Sequence, residues 1–106
     1  MNKTKIQWTT QARDKWCETA LYIRREWGVL ALRNFKEQTE DCQDKLEVFP
    51  EIGKVEPLLK SRNKQYRSLL INELNKIIYY IENNIIWIVD IWDTRREPQN
   101  LADGLK

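Results

Sequence analysis

The sequence predicts an α+β fold: a helical hairpin packed on one face of a four-stranded, mainly antiparallel sheet in the order β-α-α-β-β-β. Three observations predict it. Two successive segments carry apolar residues at helical spacing and are separated by a single glycine. Three strand-like apolar runs then follow with short polar connections. A short alternating segment precedes the first helix.

In chain order, residues 4–9 place Ile6 and Trp8 on one face, which suits a short strand. Thr9 and Thr10 offer N-cap hydroxyls to the helix that follows. In that helix Trp16, Ala20, Ile23 and Trp27 recur at spacings of four, three and four. Gly28 stops it. Leu32, Phe35, Thr39, Cys42, Leu46 and Phe49 mark a second helical face, which Pro50 ends. Two amphipathic helices joined through one glycine read as an antiparallel hairpin.

Residues 50–64, with two prolines and a glycine, read as a long loop in which Leu58 and Leu59 tuck against the body. The strands of the meander are expected at 66–71, 76–82 and 85–92. Asn83-Asn84 tolerates positive φ and closes a tight hairpin between the last two. The tail is polar, and Pro98 cannot continue a ladder.

The chain has 106 residues, which fits one domain spanning 1–106. Its composition is globular, with 32% charged residues. Met1 to Lys5 is polar and no apolar stretch approaches membrane-spanning length, so a cytoplasmic location and no membrane partner are expected. Cys17 and Cys42 form no close pair and there is no histidine, so no metal site is expected. Both cysteines fall on predicted helices and read as buried thiols. The three glycines are isolated, and no cofactor, nucleotide or small-molecule ligand is indicated.

Net charge is only +2, yet its distribution is uneven. Residues 29–56 hold seven acids against four bases, whereas Pro57 to Asn72 has no acid and contains Lys60, Arg62, Lys64 and Arg67. Such a stretch can attract phosphate locally. Arg95 and Arg96 follow the last strand, and Arg67 and Arg95 are expected to converge on one face, where guanidinium groups could bind a phosphate. The last two strands are apolar on both sides, and two helices cover only one. The uncovered side, with Tyr80, Ile86, Ile88 and Trp92, is expected to meet a partner. Five tryptophans suit that role.

The opening IQWTTQARDKW, the run YRSLLINELNKIIYYIENNIIWIVDIWDTRREP and the element order together resemble the RelE/ParE superfamily, the toxins of type II toxin–antitoxin modules. The likeness extends over roughly Lys5 to Leu101. It implies a cognate antitoxin that wraps the toxin, with Tyr80, Ile86, Ile88 and Trp92 as its seat. It also implies one of two targets. RelE-like members cleave messenger RNA in the ribosomal A site; ParE-like members inhibit DNA gyrase. For the nuclease, Lys60, Arg62 and Lys64 suit the basic approach, and Arg67 and Arg95 the catalytic arginines, with Arg96 beside them. The family's tail tyrosine or histidine has no counterpart, since the tail after Arg95 contains neither. General acid–base work on a ribose hydroxyl needs a group that exchanges protons near neutral pH. Gyrase inhibition is therefore the favoured expectation, ribosome-dependent RNA cleavage the alternative, and a non-toxic member that keeps only antitoxin binding the third.

Overall fold

A computed structural model describes residues 3–60 and 64–95. The elements are β1 (Lys5–Trp8), α1 (Thr10–Trp27), α2 (Val29–Val48), β2 (Lys54–Lys60), β3 (Gln65–Leu70), β4 (Asn75–Glu82) and β5 (Ile85–Asp93). The sheet order is β1-β5-β4-β3-β2. All neighbours pair antiparallel except β1, which runs parallel to β5 from Lys5 opposite Ile85 to Trp8 opposite Ile88.

The α+β class and the hairpin on one face hold, with one correction. Part of the stretch read as a loop is a fifth strand, β2, on the edge beside β3. Prolines argue against a central strand but are tolerated at an edge, where one side of the ladder needs no donor. Pro57 therefore fits β2, and a register shift between Val55 and Lys60 accommodates it. Leu59 is buried, as expected of the segment.

Local chemistry explains the joints. Thr9 caps α1, its hydroxyl accepting from the Ala12 amide. Gly28, at φ +93, lets α1 close on the Arg24 carbonyl while α2 begins at once. Asn83 and Asn84 take φ of 54° and 60°, the pair of left-handed residues that a two-residue hairpin turn needs.

The main core lies between the helices and the sheet. Ala12, Ala20 and Ile23 of α1 and Phe35, Cys42 and Leu46 of α2 meet Ile77, Tyr79, Ile86, Ile88 and Ile91. Trp16 stacks on Phe35 at 5.2 Å between centroids and donates its indole N–H to Thr39 at 2.9 Å. Both helical stripes overshoot this core. Trp27 and Phe49, their last members, are exposed, each at the C-terminal end of its helix. Cys17 is also exposed, correcting the expectation of two buried thiols.

Tyr79 ties the sheet to the chain entering β2. Its ring is fully buried, its hydroxyl donates to the Pro50 carbonyl at 2.8 Å, and it accepts from the Gly53 amide at 2.9 Å. A Cβ on Gly53 would stand 2.6 Å from that hydroxyl and 2.7 Å from the Ser68 carbonyl. Gly53→Ala should therefore cost about 1–3 kcal/mol by overpacking. Tyr79→Phe should cost about as much by leaving a buried amide unpaired. Denaturant midpoints of the two variants check this, and an unchanged midpoint in both would disprove the lock.

Candidate functional site

Strand parity decides which side chains can meet a partner. Along β4 and β5, Ile81 pairs with Ile86, Tyr79 with Ile88 and Ile77 with Ile91, all on the helix side. Ile78, however, pairs with Asp90, so Val89 is an extra residue opposite the Ile78–Tyr79 step. This bulge shifts the parity of β5. Before it, odd residues face away from the helices; after it, Asp90 and Trp92 do.

The face away from the helices has two regions. In the first, Leu59, Ile78 and Trp92 form a second small core, with Tyr66 and Val89 packed on it. A polar chain runs beside this core. Glu56 on β2 accepts from Lys76 on β4 at 2.9 Å, and that ammonium lies 5.3 Å from the Trp92 ring centroid. The Trp92 indole donates to Asp90 at 3.0 Å, and Asp90 also accepts from the Ile91 amide at 2.8 Å and from Gln11 at 3.4 Å. Glu56 and Asp90 are both buried. A carboxylate in such a place is tolerable only with its hydrogen bonds satisfied.

The second region lies toward the β4–β5 turn. Tyr80 pairs with Trp87 and meets Tyr66 edge-on at 5.8 Å. Lys64 lies 4.3 Å from the Tyr80 ring centroid and bonds Glu82 at 2.7 Å. Tyr66, Tyr80 and Trp87 are each half-buried. The result is an aromatic row with a lysine at its end.

The sequence-derived sites distribute unevenly over this frame. Tyr80 stands on the face away from the helices. Ile86 and Ile88 do not: both are fully buried against the helices, so they are core residues without surface to offer a partner. Trp92 is on the correct face but only 3% exposed, closed over by Leu59, Ile78 and Lys76. The expected convergence of Arg67 and Arg95 is also corrected. Arg67 pairs with Tyr79 and so faces the helix side, where its guanidinium donates to the carbonyls of Gly53 at 2.8 Å and Glu51 at 3.3 Å. Arg95 follows the far end of β5 and grips the Asp93 carboxylate through Nε at 3.0 Å and Nη2 at 2.8 Å. Asp93 lies four residues along and two strands across from Arg67. At about 3.3 Å per residue and about 4.8 Å per strand, that is roughly 16 Å. Lys60 closes β2 opposite Gln65. Arg62 and Arg96 lie outside the described residues.

Sequence reasoning missed the Glu56–Lys76 pair and the Asp90–Trp92 bond. The available signal was Asp90 itself, the one charge inside the apolar run Ile85–Trp92. Among the described residues no group of three or more Cys, Asp and Glu could hold a metal ion. No helix of the described residues is long and apolar enough to cross a membrane.

Burial pushes the Asp90 carboxyl above the usual carboxylate range, against the pull of its bonds from Ile91, Trp92 and Gln11 and of the nearby Lys15. The sign follows. An acid whose pKa rises on folding favours the fold below its unfolded pKa, and that contribution is lost as pH rises through the higher folded value. Asp90→Asn, which cannot ionise, should remove that loss. The stability gap between variant and parent should shift in the variant's favour as pH rises from 3 to 7, read by denaturant melts at each pH. A gap that moves the other way would refute this assignment.

The chain matches known proteins along almost its full length. Residues 6–98 match the model of the family described as the ParE toxin of type II toxin-antitoxin system, parDE. No match was found among curated proteins. Among solved structures, the chain is similar to one from the chromosomal ParDE TA system of P. aeruginosa, with TM-score 0.68 and 14% identity, covering 86% of this chain and 96% of that one. It is similar to the YoeB/ParE toxin from Agrobacterium tumefaciens, with TM-score 0.57, 19% identity and coverage of 84% and 96%. It also resembles the YoeB dimer from Staphylococcus aureus, with TM-score 0.54, 22% identity and coverage of 83% and 93%. At these identities the structures speak for the fold alone. With the family model spanning nearly the entire chain, the protein belongs to the ParE toxins of type II toxin–antitoxin systems, within the RelE/ParE superfamily.

Proposed function

We propose that this toxin is neutralised by a cognate antitoxin and acts by binding DNA gyrase, in the ParE manner, rather than by cutting RNA. The observation that carries this reading is the state of its two candidate catalytic arginines. Arg67 is committed to the Gly53 and Glu51 carbonyls on the helix side, and Arg95 to Asp93 at the far end of β5. Phosphoryl transfer needs cations placed together around one phosphate, with a proton-exchanging group beside them. Arg67 stands roughly 16 Å by strand geometry from Asp93, the residue that Arg95 grips.

The antitoxin seat is read from the aromatic row. Tyr66, Tyr80 and Trp87 offer half-buried rings, the two tyrosines edge to face, and Lys64 supplies a cation over Tyr80. Tyrosine and tryptophan give large contact area at small conformational cost, which suits an interface anchor. Of the four residues expected at this seat, Tyr80 remains. Ile86, Ile88 and Trp92 serve the two cores.

Induced expression in a bacterial host, with and without the neighbouring antitoxin gene, tests the proposal. Growth arrest should come with gyrase-dependent DNA breaks and intact message, and the antitoxin should relieve it. Arg95→Ala should leave toxicity within a few-fold. Cleavage of translated message that falls on the order of 10²-fold in Arg95→Ala would replace this reading with the ribosome-dependent nuclease.

A further inference from the structure

A cleft of about 270 Å³ opens where the end of β1 meets the start of α1 and the middle of α2. Trp8, Arg13 and Trp16 form one side of it, and Lys36, Glu40 and Gln43 the other. Helical spacing gathers them. Arg13 and Trp16 stand three apart on α1, and Lys36, Glu40 and Gln43 stand four and three apart on α2, so each set shares one helix face. Both tryptophans pack on the main core yet are only half-buried, which leaves part of each ring to the cleft.

The rings are fixed from within. The Trp8 indole N–H donates to Gln43 Oε1 at 2.9 Å, and the Trp16 indole N–H donates to Thr39 Oγ1 at the same distance. Thr39 donates onward to the Phe35 carbonyl at 2.8 Å, and Trp16 stacks on the Phe35 ring. Both indole donors are therefore spent inside the protein. What the tryptophans offer the cleft is ring surface. A site whose walls are set in advance loses little conformational freedom when it is filled.

Charge and size name the ligand's chemistry. Arg13 and Lys36 are exposed, and neither makes an ion pair among the described residues. Glu40 is the one acid beside them in the lining, so the rim is cationic on balance. Gln43 gives its carbonyl oxygen to Trp8, which leaves its amide N–H groups as donors. Rings call for a ring; Arg13, Lys36 and the Gln43 amide call for an anion. A ligand cation would meet like charge, and an aliphatic acid would leave the tryptophans uncovered. An apolar cavity of about 150 Å³ holds benzene, so this cleft has room for one bicyclic ring. The sugar and phosphate of a nucleotide would stand outside it.

We infer that this cleft is a binding site for a small planar aromatic carboxylate, its ring laid against Trp8 and Trp16 and its carboxylate taken by Arg13 and Lys36. A guanidinium matches a carboxylate in shape and stays charged at every physiological pH. Convergent polar groups over an apolar, aromatic lining are the usual make-up of a small-molecule site. The inference rests on the cleft alone and not on the gyrase reading.

The chain's own tryptophans give a direct readout through the NMR signals of their indole N–H groups, assigned with single Trp→Phe variants. The probe is 2-naphthoate, with 2-naphthylmethylammonium as its cationic twin and adenosine monophosphate as a larger aromatic anion. Naphthoate should move the Trp8 and Trp16 signals and leave those of Trp27, Trp87 and Trp92 in place. It should bind about tenfold more tightly than the cation. Arg13→Gln with Lys36→Gln should weaken naphthoate binding about tenfold and erase the preference. The thermal melt should stay unchanged, because both side chains are exposed. Equal binding of the two naphthyl probes, no shift at millimolar naphthoate, or a preference that survives the double substitution would overturn the inference. So would shifts centred on Trp27, or the nucleotide binding at Trp8 and Trp16 more tightly than naphthoate. None of these outcomes bears on the expression assay.

Discussion

One extra residue in β5 governs what this molecule shows to the outside. Because Val89 has no single partner on β4, the strand changes parity between Ile88 and Asp90. Ile86 and Ile88 can then join Ile91 under the helices, although an unbroken strand would put residue 91 on the opposite face. The same step places Asp90 and Trp92 on the far face, within hydrogen-bonding reach of one another. Without the bulge, Ile91 would leave the core and Asp90 would enter it. Burying an unpaired carboxylate among isoleucines is far worse than a local break in the ladder.

The bulge also explains why a five-stranded sheet with helices on one side does not expose a broad greasy surface on the other. Leu59 from edge strand β2 covers Ile78 and Trp92. Around that small core the far face is finished with ions and aromatic rings: the Glu56–Lys76 pair on one side, Lys64 with Glu82 on the other. The two pairs differ in kind. Lys64–Glu82 is open to water and adds little stability. Glu56–Lys76 is mostly enclosed, so removing either partner would strand a charge. The far face is thereby divided into a sealed half that holds β2 in place and a half-open aromatic row.

Most of the architecture was readable from the chain because it rests on periodicity and local turn chemistry. The stripes Ala20–Ile23 and Phe35–Thr39–Cys42–Leu46, the Thr9 cap, the Gly28 joint and the Asn83–Asn84 turn are each written in neighbouring residues. What was not readable depends on distant pairing. β2 is an edge strand interrupted by Pro57, so its own pattern resembles a loop, and only β3 defines it. The bulge is equally silent, because apolar residues on both sides of Val89 give no sign of where parity changes. That one ambiguity misassigned Ile86 and Ile88. Misplacing Arg67 had a similar origin: Tyr66 and Arg67 are adjacent, so they point to opposite faces, and the choice between them hangs on register with Tyr79.

The arginines show why sharing a fold does not settle a chemistry. In a sheet, two cations meet only if register and parity agree at both positions, and a slip of one residue at either sends a side chain to the other face. Here Arg67 turns toward the α2–β2 connection and closes the carbonyls of Glu51 and Gly53, beside the segment that Tyr79 also anchors. A guanidinium holding two backbone carbonyls is stabilising structure, and releasing it toward a phosphate would reopen the approach to β2. Arg95 is bonded to Asp93 at the exposed end of β5. Both arginines that the resemblance offered to a nuclease are thus bonded within the chain. Besides these, the sheet face away from the helices presents a half-buried row of rings, Tyr66, Tyr80 and Trp87. Such rings suit the proposed reading, in which the protein acts by holding its target.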